Sequence, residues 1–286
     1  MGAHPTPLDV QRFLVPKTGN SPEECEDAIG VSWSPDASSL FAAVSDGASE
    51  SLLAGAWARQ LVHGAVASMA AADDEPGDGQ DGLSGSFVED LLARTVDQWD
   101  GYIAEYQEER ATHGRPIAWY EQPGLEKGAF ATLAAVHVRA ASADPKDPEA
   151  VRPWTWRAFA LGDSCLFHLR GGRLITSSPI TDGHGFGITP QLLGSRNRDA
   201  ALITERASTT TGGLRAGDEL LLSTDALAAW LLSHPEISSD QAGKQLGKLA
   251  DLDEESFTEW VQNERNRSRM RNDDVALIRV RVKTEG

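Results

Sequence analysis

The sequence predicts an α+β fold in which antiparallel sheets are covered by helices. Two short strands near the start are followed by two long amphipathic helices. Four consecutive strands then fill the middle, and more helix and a last strand close the chain. This order lacks the regular strand–helix alternation of a parallel α/β sheet, so helices and antiparallel strands must form separate layers.

Residues 29–34 and 40–45 read as strands about the turn Ser34-Pro35-Asp36-Ala37. From Ala48 to about Ala72, the apolar residues Leu52, Leu53, Ala56, Trp57, Leu61, Ala65, Val66 and Met69 recur at helical spacing. Residues 73–85 are acidic and glycine-rich and read as a surface loop. Phe87, Leu91, Leu92, Val96, Trp99, Ile103 and Tyr106 mark a second amphipathic helix. Strands are expected at 130–138, 154–161, 165–170 and 173–176, with Gly171-Gly172 forming a hairpin between the last two. Segment 140–153 reads as an exposed connection. Segment 177–217, with Gly, Pro and Thr throughout, reads as an irregular flap. Strand 219–223 leads to Asp225 and the apolar helix ALAAWLLSH; helix is expected within 239–265 and a strand at 275–282. Residues 1–286 are read as one domain carrying that flap.

With 286 residues and 40 % hydrophobic content, the chain can bury a sizeable core. No stretch approaches the ~18 apolar residues of a membrane span. The start MGAHPTPLDVQRF lacks the form of a secretory signal, so a cytoplasmic location is expected. A net charge of −17 argues against nucleic acid and anionic membranes as partners. An acidic protein that handles phosphate must instead supply positive charge locally. Cys25 and Cys165 form no CxxC pair, which argues against zinc; they read as reduced, partly buried thiols. None of the seven histidines falls in a metal-ligand pair, and His137, His168 and His184 read as packing or loop residues.

Four aspartate motifs lie where a strand meets a turn: Ser45-Asp46-Gly47, Gly162-Asp163-Ser164, Thr224-Asp225 and Asn272-Asp273-Asp274. A fifth acidic pair, Glu26-Asp27, precedes the apolar run AIGVSW. Each has a plain local reading. Asp46-Gly47 could be a turn, Gly162-Asp163-Ser164 a hairpin, Asp225 a helix N-cap, and Asn272-Asp273-Asp274 the boundary between a helix and a strand. Their joint placement at strand ends suggests convergence. Two carboxylates about 5 Å apart repel by roughly 3 kcal/mol at an effective dielectric near 20. Such a cluster either holds protons or holds a divalent cation, and the cation is the reading favoured here.

The segments Glu26-Asp27-Ala28, VSDG at 44–47, GAFATLAAV at 128–136, LGDSCLFHLRGGRL at 161–174, LLLSTDA at 220–226 and NDDVALIRV at 272–280 span nearly the whole chain. In order and context they resemble the metal-dependent protein phosphatase 2C family of serine/threonine phosphatases, in its compact bacterial form. The resemblance implies a four-layer α-β-β-α sandwich: two antiparallel sheets, flanked by helices, with two Mn2+ or Mg2+ ions at one end. It implies that Asp46 bridges both ions, that the Gly47 carbonyl binds one, and that Asp225 and Asp273 complete the shell of the other. Glu26 and Asp27 would hold metal-bound waters, and Asp163 would help place a third, weaker ion. The implied activity is hydrolysis of phosphoserine and phosphothreonine by a metal-activated water, on a phosphorylated protein that is the target of a cognate kinase.

The chain departs from the family pattern in places. An arginine expected about five positions before Asp27 is replaced by Pro22, leaving Arg12 or Lys17 as substitutes for phosphate binding. No histidine follows Asp46-Gly47, so no general acid is evident there. Thr224-Asp225-Ala226 and Asp273-Asp274 keep their leading carboxylates, and the latter adds a charge. A catalytically weak module that binds a phosphoprotein or kinase, or a small-molecule phosphatase, are the competing readings.

Overall fold

The computed structural model describes residues 7–74, 83, 85–141, 153–186, 190–233 and 252–284. In chain order its elements begin with β1 (Leu8–Val15), β2 (Ala28–Trp33), β3 (Ser39–Ser45), α1 (Ala54–Asp74), α2 (Gly85–Thr112), α3 (Gln122–Lys127), β4 (Phe130–Ala131) and β5 (Leu133–Ala140). They continue with β6 (Trp154–Leu161), β7 (Cys165–Arg170), β8 (Arg173–Ser178), β9 (Leu193–Gly194), α4 (Ala200–Arg206) and β10 (Ser208–Leu214). The last are β11 (Glu219–Ser223), α5 (Asp225–Ser233), α6 (Glu254–Asn266) and β12 (Val275–Val282).

Two five-stranded antiparallel sheets result, one ordered β1-β12-β11-β7-β8 and the other β10-β6-β5-β3-β2. The side-chain period of two explains how they stack. Along β3, Leu40, Ala42 and Val44 pack between the sheets, while Phe41 and Ala43 pack toward α1 and α2. Along β12, Ala276, Ile278 and Val280 enter the same inter-sheet core, while Val275 and Leu277 meet α5 and α6. Strands buried on both faces read as continuous apolar runs rather than alternating ones, and every residue of β3 is buried. The three cores separate four layers, α-β-β-α, as the family resemblance implies.

Helix α1 lies tightly on its neighbours. A Cβ at Gly30 would meet the Val62 carbonyl at 3.0 Å, and one at Gly64 would sit 2.3 Å from Thr95 Cγ2 on α2. Trp57, also on α1, donates from Nε1 to the Leu193 carbonyl at 2.8 Å.

The structure corrects several expectations. Segment 177–217 is not an irregular flap: it contains β9, α4 and β10. Asp199 caps α4 by accepting from the Leu202 N–H at 2.9 Å, and β10 completes a sheet by pairing along β6. Strand β1, which the apolar pattern does not announce, pairs with β12 over its full length. Helix α1 begins at Ala54, after a turn, rather than at Ala48. Gly162-Asp163-Ser164 is no hairpin, because β6 and β7 lie in different sheets. The Gly171-Gly172 hairpin stands, with both glycines at positive φ (53° and 79°) as a two-residue turn requires. Both cysteines are fully buried rather than partly so. The connection expected at 140–153 lies largely outside the described residues, as does most of the loop expected at 73–85. Of the helix expected within 239–265, the described part is α6.

Candidate functional site

Strand ends from both sheets bring the acidic motifs together. Asp46 follows β3, Asp163 lies on the crossover from β6 to β7, and Asp225 is the first residue of α5, immediately after the β11–Thr224 junction. One carboxylate oxygen from each lies within 4.8 Å of the others. Three of the sequence-predicted acids therefore share one site.

Their placement depends on polar residues beside them. Thr132, between β4 and β5, is buried and binds two of the three segments. Its Oγ1 accepts from the Asp46 N–H at 3.1 Å and lies 2.6 Å from Ser164 Oγ, beside Asp163. Its N–H donates to the Asp46 carbonyl at 2.9 Å, and Ser45 Oγ donates to the Thr132 carbonyl at 2.5 Å. Gly162 permits the crossover: its φ is +103°, and a Cβ there would press to 2.6 Å from Thr132 Cγ2. Gly47 is small for another reason. A Cβ would meet the Ala54 backbone at 2.7 Å and the Glu26 carbonyl at 2.8 Å, so only glycine lets Asp46 approach both.

The other predicted acids surround this trio. Asp27 is buried and accepts from Thr224 Oγ1 at 2.7 Å, while the same hydroxyl accepts from the Ala276 N–H at 2.9 Å. Asp273 is close enough for its charge to act on Asp46, Asp163 and Asp225, although it does not join their trio of oxygens among the described residues. Glu26 is held by Lys17, whose Nζ lies 3.3 Å from Oε2, and by the Ser49 hydroxyl. Its carbonyl accepts from the Gly47 N–H at 3.2 Å. The additional acid, Asp274, serves the backbone: its carboxylate accepts from the Lys17 N–H at 2.7 Å and the Glu26 N–H at 2.8 Å. The extra charge is thus tied down by two donors on the segment preceding β2. Arg12 stands exposed at mid-strand opposite Ile278. His137 and His168 lie within the sheets and His184 in a short turn, all consistent with packing or loop roles.

Electrostatics at the centre are severe. Burial raises Asp27 and Asp46 well above the usual carboxylate range, and the neighbouring carboxylates add to it. Asp163 is pushed up to about 6, first by burial and then by Asp225. Asp225 is raised by burial and Asp273 despite Arg271, whose Nη2 lies 2.5 Å from Asp225 Oδ2. Its position at a helix N-terminus adds some favourable dipole. Two full charges at 4.8 Å would repel by roughly 3 kcal/mol at an effective dielectric near 20.

A hard divalent cation fits these residues. The donors are all carboxylate oxygens, the set that Mg2+ and Mn2+ prefer. Asp163 is 92 % buried, yet its Oδ1 has no hydrogen-bond partner, an expensive arrangement unless something else binds there. The site is therefore an acidic cluster of the kind that holds divalent metal.

Solved structures share this architecture. The catalytic domain of the serine/threonine protein phosphatase PstP, in complex with two manganese ions, is 18 % identical, with 97 % of this chain and 99 % of that chain covered at a TM-score of 0.51. The serine/threonine phosphatase Stp1 from Staphylococcus aureus is 15 % identical, covering 100 % and 98 % at a TM-score of 0.55. The photosystem II phosphatase PBCP is 15 % identical, covering 97 % and 99 % at 0.52. This is the protein phosphatase 2C fold. No sequence-family model and no curated protein matches the chain, so the likeness rests on structure.

Within this 2C phosphatase fold, three residues of the site escaped sequence reasoning. Thr132 lies inside a recognised segment, but its neighbours there are apolar and conceal its role. Thr224 was legible only as the companion of Asp225. Arg271 carries the weakest signal, as one of four alternating arginines in ERNRSRMRN, only one of which reaches the trio.

Proposed function

We propose that the chain is a metal-dependent phosphatase of phosphoserine and phosphothreonine in proteins. The observation that carries this is the convergence of Asp46, Asp163 and Asp225 within 4.8 Å, with a buried Asp163 oxygen left unpartnered. The 2C phosphatase fold supports it, as does the PstP relative with its two manganese ions. In this reading two Mn2+ or Mg2+ ions are held by Asp46, Asp225, Asp273 and the Gly47 carbonyl. Glu26 and Asp27 act through water, and Asp163 holds a third, weaker ion. Bound divalent cations would lower the pKa of a water and neutralise phosphate charge.

The chain's own residues supply orientation. Thr132, Thr224 and Asp274 fix the backbones that carry the carboxylates, so little reorganisation is needed when charge develops on the substrate. Cys25 and Cys165 are both pushed up to about 12 by burial, so neither thiol is a nucleophile at neutral pH. No histidine or cysteine joins the trio among the described residues. Direct attack by water is therefore favoured over a covalent phosphoenzyme. The substrate is read as the product of a cognate kinase and the location as cytoplasmic; no described helix is long and apolar enough to cross a membrane.

The expected outcome is manganese-dependent hydrolysis of p-nitrophenyl phosphate and of a phosphothreonine peptide. Asp46→Asn and Asp225→Asn should each lower kcat by about 100-fold or more, a loss of the size seen when a group acting in the transition state is removed. Metal-independent turnover, or full activity in either variant, would exclude the reading.

A further inference from the structure

The arginines from the last turn of α6 to the start of β12 divide by what they bind. Arg265 donates to two backbone carbonyls, that of Pro16 at 2.9 Å and that of Asp273. Arg269 pairs with the buried Glu264 carboxylate, and Arg267 lies 3.9 Å from it. Arg271 instead turns to the carboxylate centre. Its Nη2 donates to Asp225 Oδ2 at 2.5 Å, and it also feels the charges of Asp273 and Asp163.

The exposure of this pair is uneven. The Asp225 side chain is 13 % exposed, while that of Arg271 is 53 % exposed. The guanidinium therefore stands at the mouth of the site, with Nη2 on Asp225 and about half of the side chain exposed to solvent. A guanidinium has five N–H donors in a rigid fork, and its two-nitrogen edge matches two oxygens of a phosphoryl group. Asp225 presents two oxygens, so one can serve a cation while the other keeps hold of Arg271. Lys17, the cation on Glu26, cannot offer that fork.

A phosphate monoester is a dianion, and it must approach Asp27, Asp46, Asp163, Asp225 and Asp273 on a chain whose net charge is −17. Positive charge from the protein has to be local, and Arg271 is placed to supply it. We propose that Arg271 is the substrate-binding residue that clamps the phosphoryl oxygens at the Asp46–Asp163–Asp225 centre, with Asp225 holding its guanidinium in position. This inference rests on the phosphatase reading above and names the phosphate contact that it requires.

The test compares full-length wild type, Arg271→Ala and Arg271→Lys, each checked for native circular dichroism. Calorimetry with Mn2+ alone reports the metal centre. Inorganic phosphate, added to the Mn2+-loaded protein, reports anion binding, and p-nitrophenyl phosphate reports turnover. Arg271→Ala is expected to raise KM and to weaken phosphate inhibition by about tenfold or more, the scale of a lost charge-assisted fork, with Mn2+ affinity changed by less than about threefold. Arg271→Lys should fall between, because it keeps the charge and loses the fork. Unchanged KM and phosphate inhibition in an active Arg271→Ala protein would overturn the clamp and leave the phosphatase reading standing. Loss of Mn2+ binding in a natively folded Arg271→Ala protein would assign Arg271 to the metal centre and also overturn it. A wild type that binds Mn2+ but neither hydrolyses the ester nor binds phosphate would remove both proposals.

Discussion

Thr132 shows how a neutral residue can control a charged site. Its hydroxyl meets the Asp46 N–H and the Ser164 hydroxyl at once, so it links the end of β3 to the crossover that carries Asp163. Thr132→Val keeps the shape and removes both contacts, stranding a part-buried N–H and a buried hydroxyl. The expected cost is about 1–3 kcal/mol of stability, read by urea unfolding of the metal-free protein. Mn2+ affinity should fall as well, because Asp46 and Asp163 are then no longer held at a fixed separation. If Thr132→Val binds Mn2+ as tightly as wild type, the hydroxyl bridges do not position the carboxylates. The same logic applies to Thr224 between Asp27 and Ala276, and to Asp274 between Lys17 and Glu26. In each case the residue that aims a carboxylate is neither apolar nor a ligand, so neither periodicity nor metal-site reasoning singles it out.

The helices offer a matched pair of glycines whose substitution should act in opposite directions. Gly64 lies inside α1, where a Cβ would stand 2.3 Å from Thr95 Cγ2, whereas Gly101 lies inside α2 with nothing within 4 Å. Helix propensity alone favours alanine at both by about 1 kcal/mol. Gly101→Ala should realise that gain. Gly64→Ala should lose more than it gains, by about 1–3 kcal/mol, because the helices must part. Thermal unfolding of the two variants decides it: stabilisation by Gly64→Ala would mean that α1 and α2 are not in close contact there. Elements of this kind were largely legible from sequence, because α1, α2, β3 and β12 have strong apolar patterns, although the start of α1 was not. Strand β1 was not, for a physical reason. Leu8 and Val10 face the inter-sheet core while Phe13 and Val15 face the helices, so its apolar residues change parity and the period of two is broken. Strand β10 (STTTGGL) was missed because it is a polar edge strand with alternating exposure. Its Gly212 lies under Trp156, where a Cβ would approach to 2.7 Å, so the glycine signals close packing rather than a turn. The sequence shows the acids, and periodicity shows the strands that bear them. Which oxygens meet depends on how two sheets stack, and no local pattern encodes that.

Across the whole molecule, the carboxylate centre couples folding to metal and to pH. Without metal, folding places several buried carboxylates together, and their raised protonation follows from burial and mutual repulsion. The sign is fixed by linkage. An acid whose folded pKa exceeds its unfolded value binds more protons when folded, so its contribution to stability declines as pH rises through that interval. For Asp163 the interval runs from the ordinary value of 3.8 to about 6. In EDTA, wild type should therefore lose more stability between pH 5 and pH 7.5 than Asp163→Asn does, by about 1–3 kcal/mol. At pH 7.5 the variant should also unfold at a higher temperature than metal-free wild type. Mn2+ should reverse the order. Bound at 100 times its Kd, a cation adds about 2.7 kcal/mol to the wild type, and less where its ligands are lost. That gain should shrink toward pH 5, where protons compete for the same oxygens. Differential scanning calorimetry at both pH values, with and without Mn2+, measures all four corners. A manganese-induced shift that is equal at pH 5 and 7.5 would mean that the cations bind away from this centre, and one undiminished in Asp163→Asn would mean that Asp163 holds no ion. The expected pattern has a functional consequence. Carboxylates crowded at a cost in the metal-free fold are already positioned when the cation arrives, so the repulsion built into folding lowers the reorganisation needed for binding.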